Sequence, residues 1–590
     1  MEKLLSAKGL IPHFAGLILF VAVCGIEVFH PYGANAQIPN WQWAKSAGGT
    51  SYDDGNNIFY SKGYLYLTGN FQSKKIIFGN DTLVNTNTTG NTSDIFIAKY
   101  DSLGNAIWAK SAGGKKNDNG LGITADANGN IFVTGYFRSD TIIFGTFILK
   151  KYSTYYQDSA DVFIVKYDAS GNVIWAKSAG GWDCDYGTSI AVDVNGNCYV
   201  TGNYQSMSIV FDNDTLHLTG GSNIFLVKYD NSGNVLWAKT TKGDQAERST
   251  SITVDTNGNS YLTGYFWSHV LSFGQDSVLN SCGGRSYMFA VKYDALGNSL
   301  WATCAGGQPS TIGNDGGNSI AVTLNGNCCV TGYFASEDIS FGSTTLVNHD
   351  FNNNTDIFIV EYNSYGNALW AKGYGSANCG DEGTGVTMDA NGNAYITGGF
   401  GGNVTFGTYN LNSTTGGYLF AVKYDTSGTV LWAKNGGAGA YAYAVSNSIT
   451  ADENGNCYII GEFFGYSMSN TVSFGSTILT SANINTDDIF IVKLGGNTVS
   501  ISENNLDNVI NVFPNPTRGV FQMQIGNGQS AIGKEYKIEI YNVLGEIVLD
   551  LPITLSTNQP INLSSQPDGV YFLQLKTTDG IVTKKVMVMK

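Results

Sequence analysis

The tripeptide Trp-Ala-Lys, in one copy Trp-Ala-Thr, recurs seven times along this 590-residue chain and imposes a long internal period. Consecutive copies lie 62 to 69 residues apart, with their tryptophans at Trp43, Trp108, Trp175, Trp237, Trp301, Trp370 and Trp432. Between them, Val, Ile, Tyr, Phe and Thr alternate with Asn-Gly pairs, a mixture that favours short strands and tight turns. Units of this length built only of strands are typical of β-propeller blades. The period therefore predicts an all-β, seven-bladed β-propeller.

The third unit shows how one blade is composed. Alternation of apolar and polar residues predicts strand A at Ser189–Asp193 and strand B at Cys198–Tyr204, joined by a tight Asn-Gly turn. Ile224–Asp230 and Val235–Lys239 follow as strands C and D. Strands joined by such short turns run antiparallel, so each blade is predicted to be a four-stranded antiparallel sheet.

The two ends of the repeat region complete each other. The last unit has a strand C at Ile489–Leu494 but no Trp-Ala-Lys strand after it, whereas Trp41–Lys45 precedes the first strand A without a unit of its own. Pairing these segments in one blade gives seven strands of each kind and removes two open sheet edges. We therefore expect the N-terminal strand to close the last blade.

Two consensus stretches, DxFIVKYDxxGNxxWAKSAGG and DxNGNxYVTGYF, make the repeat similar to the SBBP family of β-propeller repeats. The similarity covers the seven units and implies the propeller fold. It implies no activity, because propellers host many unrelated functions.

The N-terminal segment predicts export. Lys3 and Lys8 precede the apolar run 14–23, and a small-x-small site ends at Ala36, as in a secretory signal peptide covering residues 1–36. We expect no transmembrane segment in the mature form, since the later sequence has no apolar run long enough to span a bilayer. The net charge of −15 argues against nucleic acid as a partner.

The repeat ends near residue 496, which makes 37–496 the predicted propeller, 497–508 a linker and 509–590 a second domain. The C-terminal stretch contains a Pro-Asn-Pro motif, an NxLG turn, a Gly-Val-Tyr motif and a basic end; the residues of interest are Pro514, Asn515, Pro516, Gly519, Gly545, Gly569, Tyr571, Lys584 and Lys585. This pattern resembles the type A C-terminal sorting domain of the type IX secretion system of the Bacteroidetes. The resemblance implies a small immunoglobulin-like β-sandwich, the type IX secretion machinery as partner, and delivery to the cell surface or the medium.

Few residues suggest catalysis. His217, His269 and His349 fall at unrelated repeat positions, outside any HExxH or C-x2-C pattern, so zinc binding and histidine acid–base chemistry are poorly supported. The chain shows neither a GxSxG elbow nor a P-loop. We therefore expect a protein that is not an enzyme and has no cofactor, with calcium as the one cation to consider.

An acidic residue recurs five positions before the central apolar residue of strand A in six of the seven units, at Asp53, Asp118, Asp185, Glu247, Asp315 and Asp381. The last unit has Ala444 at this position. Two interpretations remain open. If strand A is innermost, the carboxylates form a ring at one mouth of the channel that binds a cation or a polar ligand. Alternatively, each carboxylate accepts hydrogen bonds from its own loop, which is ordinary turn chemistry.

The tryptophans divide into two groups. The seven in the repeat occupy one strand position, which predicts packing between blades. Trp182 and Trp267 depart from the repeat and lie near loops, which makes them candidates for a carbohydrate-binding surface.

The sequence thus favours an exported, non-catalytic binding or adhesion protein that captures surface polysaccharide, an environmental or host glycan, or a protein. Two alternatives remain: a secreted enzyme acting on polysaccharide through ring carboxylates, and a structural component of a surface layer.

Overall fold

The computed structural model describes residues 38–87, 91–153, 158–281, 284–307, 313–350, 354–377, 379–413, 418–437, 439, 442–465, 470–495, 510–525, 537–543, 545–552, 558–577 and 580–590. The predicted signal peptide (1–36) and linker (497–508) lie outside these residues. The described part is built of strands and contains no helix.

The strands of the first three units are, in chain order, β1 (Asn40–Ala47), β2 (Asp53–Ser61), β3 (Tyr64–Phe71), β4 (Lys75–Phe78), β5 (Asp81–Val84), β6 (Asp94–Asp101), β7 (Ala106–Ala112), β8 (Asp118–Ala125), β9 (Ile131–Phe137), β10 (Thr141–Phe144), β11 (Phe147–Lys150), β12 (Asp161–Tyr167), β13 (Val173–Ala179), β14 (Asp185–Val192), β15 (Cys198–Tyr204), β16 (Ser208–Phe211), β17 (Asp214–His217), β18 (Asn223–Tyr229) and β19 (Val235–Thr240).

The remaining propeller strands are β20 (Glu247–Val254), β21 (Ser260–Phe266), β22 (Val270–Ser272), β23 (Ser277–Leu279), β24 (Tyr287–Tyr293), β25 (Ser299–Ala305), β26 (Asp315–Val322), β27 (Cys328–Phe334), β28 (Asp338–Phe341), β29 (Thr344–Val347), β30 (Asp356–Tyr362), β31 (Ala368–Tyr374), β32 (Glu382–Met388), β33 (Ala394–Phe400), β34 (Asn403–Phe406), β35 (Tyr409–Asn412), β36 (Tyr418–Tyr424), β37 (Val430–Gly436), β38 (Ala442–Ala451), β39 (Cys457–Gly465), β40 (Thr471–Phe474), β41 (Thr477–Thr480) and β42 (Asp488–Gly495).

Each unit forms a four-stranded antiparallel sheet in the order A, B, C, D, and seven such blades make the predicted β-propeller. In the third blade, strand B spans Cys198–Tyr204, as predicted, and strand A begins at Asp185, earlier than predicted. Every unit also contains a two-stranded hairpin between strands B and C, such as β4 with β5, which the sequence did not predict. Its strands have only three or four residues, too few for a clear alternation pattern.

The predicted closure of the ring is confirmed. Strand β1 pairs antiparallel with β42, with Ala44 opposite Val492, and the sheet order is β1-β42-β39-β38. The N-terminal strand therefore supplies strand D of the seventh blade, and every described strand of the ring has a partner.

Strand A is the innermost strand of each blade. The A strands of neighbouring blades contact one another all the way round, including β38 with β2 across the closure. The core lies in the interfaces between neighbouring blades, which we call seams. At the closure, for example, Ile58 and Leu67 of the first blade pack in one cluster with Ile460 and Ile489 of the seventh.

The repeated tryptophans lie in these seams. Trp108 Nε1 donates to the Ala169 carbonyl oxygen in the C–D turn of the next blade at 3.4 Å. In the same turn, a Cβ added at Gly171, whose φ is 81°, would come within 3.2 Å of the indole. Trp43, Trp175, Trp237 and Trp301 make the equivalent bond. This geometry is the inter-blade packing that the repeat predicts.

The C-terminal domain consists of two sheets. Its strands are β43 (Ile510–Phe513), β44 (Val520–Ile525), β45 (Lys537–Tyr541), β46 (Ile547–Pro552), β47 (Asn558–Asn562), β48 (Gly569–Thr577) and β49 (Gly580–Val588). A three-stranded sheet, β43-β44-β47, and a four-stranded sheet, β46-β45-β48-β49, share a core that includes Phe521, Ile538, Leu573 and Val586. This is the small β-sandwich expected.

Candidate functional site on the A-strand face of the propeller

The six repeated acids lie at the start of strand A. Five are the first residue of their strand, and Asp381 immediately precedes β32. Their side chains are at most 1% exposed, so they are inside the seams and do not line the open channel wall; they are Asp53, Asp118, Asp185, Glu247, Asp315 and Asp381. Burial explains why an inner-strand position does not produce an open acidic ring.

Asp53 shows how each carboxylate is satisfied. Its oxygens accept from the Ser73 hydroxyl at 2.6 Å, from the Ser73 amide at 3.1 Å and from the Gly49 amide at 2.8 Å. A serine hydroxyl fills the same role for the other five carboxylates, from Ser139, Ser206, Ser268, Ser336 and Ser376. The acids thus fasten the loops that join the strands at this end of the blade. This is the geometry of the turn interpretation, and it corrects the expectation of an acidic ring open to a ligand.

Burial changes the protonation of these groups. Desolvation raises the pKa of Asp53, Asp118 and Asp185 from 3.8 to about 7, against the opposing effect of their serine hydrogen bonds. Glu247 has one buried oxygen, Oε2, that lacks a hydrogen-bond partner, and desolvation raises its pKa to about 8.

A second set of carboxyl groups lies next to the first. Asp94, Asp161, Asp356 and Asp488 occupy the first position of strand C, and their Oδ1 atoms are buried without a hydrogen-bond partner. A Cβ added to the glycine that comes directly after strand D of the same blade would overlap this oxygen; these glycines are Gly48, Gly113, Gly180 and Gly375. Each of these aspartates raises the pKa of the strand-A acid of the next blade, so four seams contain a pair of buried acids.

The two candidate tryptophans lie on the face of the propeller where strand A begins and strand B ends. Trp182, in the loop before β14, is 53% exposed, and its ring meets the Tyr152 ring edge-on with centroids 6.3 Å apart. Trp267, which follows β21, is half-buried and packs edge-on against Tyr265 at 5.2 Å. The structure therefore places both on one face, on neighbouring blades, with Trp182 the more exposed.

Side chains around the channel mouth are unevenly distributed on this face. Tyr136 and Tyr186 pack edge-on with ring centroids 4.8 Å apart, and the Arg138 guanidinium donates to the Tyr186 hydroxyl at 3.2 Å. Around the closure, burial and the nearby Asp54 raise the pKa of Glu462 to about 8. One sector is thus rich in tyrosine and arginine, and the other is rich in carboxyl groups.

The described residues contain no cluster of three or more His, Cys, Asp or Glu side chains arranged to hold a metal ion. His269 and His349 each contact one carboxylate, Asp244 at 3.2 Å and Asp356 at 2.6 Å.

The seam between blades six and seven contains a cleft that the sequence did not single out. Its volume is about 640 Å³, and its lining includes Glu382, Phe400, Tyr418 and Tyr443. The signal that marks it is visible in the sequence: the seam contains Ala444, the one exception to the repeated acid.

The sorting motif is well defined in the C-terminal domain. Asn515 Nδ2 donates to the Lys585 carbonyl oxygen at 2.7 Å, and its Oδ1 accepts from the Met587 amide at 2.8 Å. Pro514, Asn515 and Pro516 thus lie against the final strand, β49, which also contains Lys584. Gly519 and Gly545 have φ values of 107° and 83°, which favour glycine. The Tyr571 hydroxyl donates to the Pro567 carbonyl oxygen at 2.7 Å. Gly569 opens β48.

Residues 511–589 match the family model described as the secretion system C-terminal sorting domain. An uncharacterized WD repeat-containing protein of Acanthamoeba polyphaga mimivirus is 26% identical over 462 residues, covering 66% of this chain and 33% of that protein. The regulatory protein FlaEY of Caulobacter vibrioides is 25% identical over 388 residues, covering 62% and 38%. The chain therefore spans about a third of the length of these relatives. A mutant of the Synechocystis apocarotenoid oxygenase covers 78% of this chain and 95% of its own, with 9% identity and a TM-score of 0.34.

The sorting domain indicates export to the cell surface or the medium and implies interaction with the type IX secretion machinery. In the described part of the chain, no helix has the length and apolar character needed to cross a membrane. The chain is thus a secreted or surface-exported protein with a β-propeller fold.

Proposed function

We propose that this protein is a non-catalytic binding or adhesion protein of a Bacteroidetes-type cell surface, whose SBBP-like propeller captures a glycan or a protein. Signal-peptide export precedes passage through the type IX route. The observation that carries the proposal is the state of the six strand-A acids. All six are buried, and each accepts a hydrogen bond from a serine hydroxyl.

The same observation weakens the enzymatic alternative. A glycosidase needs two carboxyl groups on either side of a substrate bond, roughly 5 to 9.5 Å apart and open to the sugar. The ring acids are closed off in their seams, so they cannot reach a polysaccharide chain on the surface without opening the blade interface.

The exposed face gives the binding proposal its surface. Trp182 and the tyrosines around Arg138 offer flat apolar rings with polar edges, which suit sugar rings and protein side chains alike. A structural surface-layer role is the remaining alternative, and it predicts self-association without ligand binding.

The test is a glycan-array and protein pull-down screen of the secreted propeller, residues 37–496, with and without calcium. Selective binding that is weakened by Trp182→Ala supports the proposal. If binding also depends on calcium, a bound cation takes part in it. Concentration-dependent self-association with no binding in either screen would overturn the proposal in favour of the surface-layer role.

A further inference from the structure

The seam between blades six and seven differs from the others at two positions that lie close together, on either side of Tyr418. Ala444 replaces the acid that starts strand A, and Gly399 replaces the Asn, Tyr or Glu found near the end of strand B in every other blade. Tyr418 begins strand C, where four of the blades have a buried aspartate and blade four also has a tyrosine, Tyr287. All three residues line the 640 Å³ cleft.

These replacements explain why the seam is open. Elsewhere the acid fills the seam and binds the serine of a neighbouring loop, as Asp53 binds Ser73. The methyl group of Ala444 cannot do so. At Gly399, a Cβ would meet no atom of the described residues within 4 Å, so among them the missing side chain leaves free space above the strand. The resulting volume lies within the range of small-molecule sites, roughly 300 to 1000 Å³.

The walls combine aromatic surface with one oriented carboxylate. Phe400 and Tyr418 pack with ring centroids 6.1 Å apart beneath the cleft, and Tyr443 lies on the side of blade seven. Glu382, on the channel side, accepts from Asn318 Nδ2 at 2.7 Å. Asn318 also donates to the Gly383 carbonyl oxygen at 2.9 Å, which fixes the direction of the carboxylate.

We propose that this cleft binds a neutral sugar unit of a polysaccharide, with the sugar hydroxyls donating to Glu382 and a C–H face packing on the partly exposed ring of Tyr443. The inference rests on the proposed binding function and adds to it a second site, apart from the Trp182 surface, with its own ligand class. Aromatic rings accept the apolar face of a sugar, and an ionised carboxylate accepts two or more hydroxyl bonds.

The lining favours a neutral ligand over a charged one. Among the described lining residues there is no Lys, Arg or His, so a phosphate or an acidic sugar would meet no counter-charge. Glu382 is the one charged group among the described lining residues, and it already accepts a hydrogen bond from Asn318, so a basic side chain would meet a single, partly engaged counter-charge. Hydroxyl groups can pair with a carboxyl group in either protonation state.

The test uses the full exported chain and four neutral hexasaccharides, of β-1,4-glucose, β-1,3-glucose, β-1,4-mannose and β-1,4-N-acetylglucosamine, in isothermal titration. Gly399→Tyr should abolish binding of the recognised sugar, with a loss of at least tenfold, because the ring would fill the cleft. Blades two, four and five have tyrosine at this position, so the fold should accept it. Glu382→Gln keeps the shape and the Asn318 bond, and should weaken binding about three- to tenfold. Tyr333→Gly, the reverse exchange at the equivalent position of blade five, should leave affinity unchanged.

A second readout is independent of any variant. The thiol of Cys379 lies in the cleft, and Cys184 on blade three has similar partial exposure. A bound hexasaccharide should slow alkylation of Cys379 but not of Cys184, measured by mass spectrometry. If Gly399→Tyr leaves binding intact, the cleft is not the saccharide site, and the protein binds the sugar elsewhere on its surface. If no hexasaccharide binds or protects Cys379, the saccharide site is wrong, and the pull-down screen alone decides the broader proposal.

Discussion

Asp94 provides a direct test of what buried carboxyl groups do between blades. It begins strand C of the first blade, is 1% exposed, and accepts hydrogen bonds from Thr86, including one from the Thr86 amide at 2.7 Å through Oδ2. Its other oxygen is buried without a partner, and Asp118 of the next blade lies near enough for the two charges to repel. The chain contains its own neutral version, because Asn223 holds the same position in blade three and donates to the Thr241 carbonyl oxygen at 2.8 Å. The perturbation is therefore Asp94→Asn.

The sign and size of the effect follow from the pKa. Burial raises the pKa of Asp94 from 3.8 to about 6. Below pH 4 the carboxyl group is protonated in the folded and unfolded states alike. Between pH 4 and 6 the unfolded chain loses its proton first, so the folded state binds more protons and stability falls as pH rises. Above pH 6 the full cost is present, about 3 kcal/mol at 1.4 kcal/mol per pH unit. Asp94→Asn removes that cost.

We expect Asp94→Asn to raise the free energy of unfolding by about 1 to 3 kcal/mol at pH 8 and to leave it nearly unchanged at pH 4. Urea unfolding followed by tryptophan fluorescence at both pH values measures the difference. Asn223→Asp is the converse variant, and it should destabilise the protein at pH 8 far more than at pH 4. A loss of stability in Asp94→Asn that is equal at the two pH values would refute the reasoning, since it would show that the carboxyl group contributes a specific contact rather than an electrostatic cost.

Three further predictions concern the fold and the export domain. Trp108→Ala should lower the free energy of unfolding by about 3 to 5 kcal/mol, because it leaves a cavity in the seam between the first and second blades. Urea titration measures this difference, and a change under about 1 kcal/mol would contradict packing of the indole in the seam. Ala44→Pro should reduce the melting temperature and expose the chain to proteolysis near the closure, because proline in β1 disrupts pairing with β42. If the variant resists limited trypsin digestion as well as the wild type does, the closure is not formed by this pairing. Asn515→Ala should remove two hydrogen bonds to β49, destabilise the sorting domain by about 1 to 3 kcal/mol and reduce the secreted yield in a type IX host. If the variant domain is unfolded in isolation but the protein is secreted normally, sorting does not depend on this contact.

The sequence predicted the blade pattern well because the features that build it repeat. Asn-Gly turns and alternating apolar residues placed strand B of the third blade at Cys198–Tyr204, and the missing last strand predicted the pairing of β1 with β42. The acids were harder to interpret, because an aspartate beside a glycine looks the same on a channel wall and inside a seam. Only the three-dimensional position of Ser73 and its equivalents shows that the carboxylates are enclosed. The unpartnered oxygens of strand C could not be predicted at all, since they depend on contacts between separate units.

In a closed ring of repeats, residues with a structural role can be told from residues of a single binding site by how often they recur. The seam tryptophan recurs in all seven units, and six of its copies lie against the C–D turn glycine of the next blade, so packing between blades explains it. A site that exists once must break the repeat, and the breaks at Gly399 and Ala444 meet in one seam. Ring closure does not account for these breaks. It changes only which part of the chain supplies strand D, at the outer edge of blade seven, whereas Ala444 lies on the innermost strand and Gly399 belongs to blade six. The departures are therefore better explained by a ligand than by the closure, which is why exchange of Gly399 is the most informative substitution in this chain.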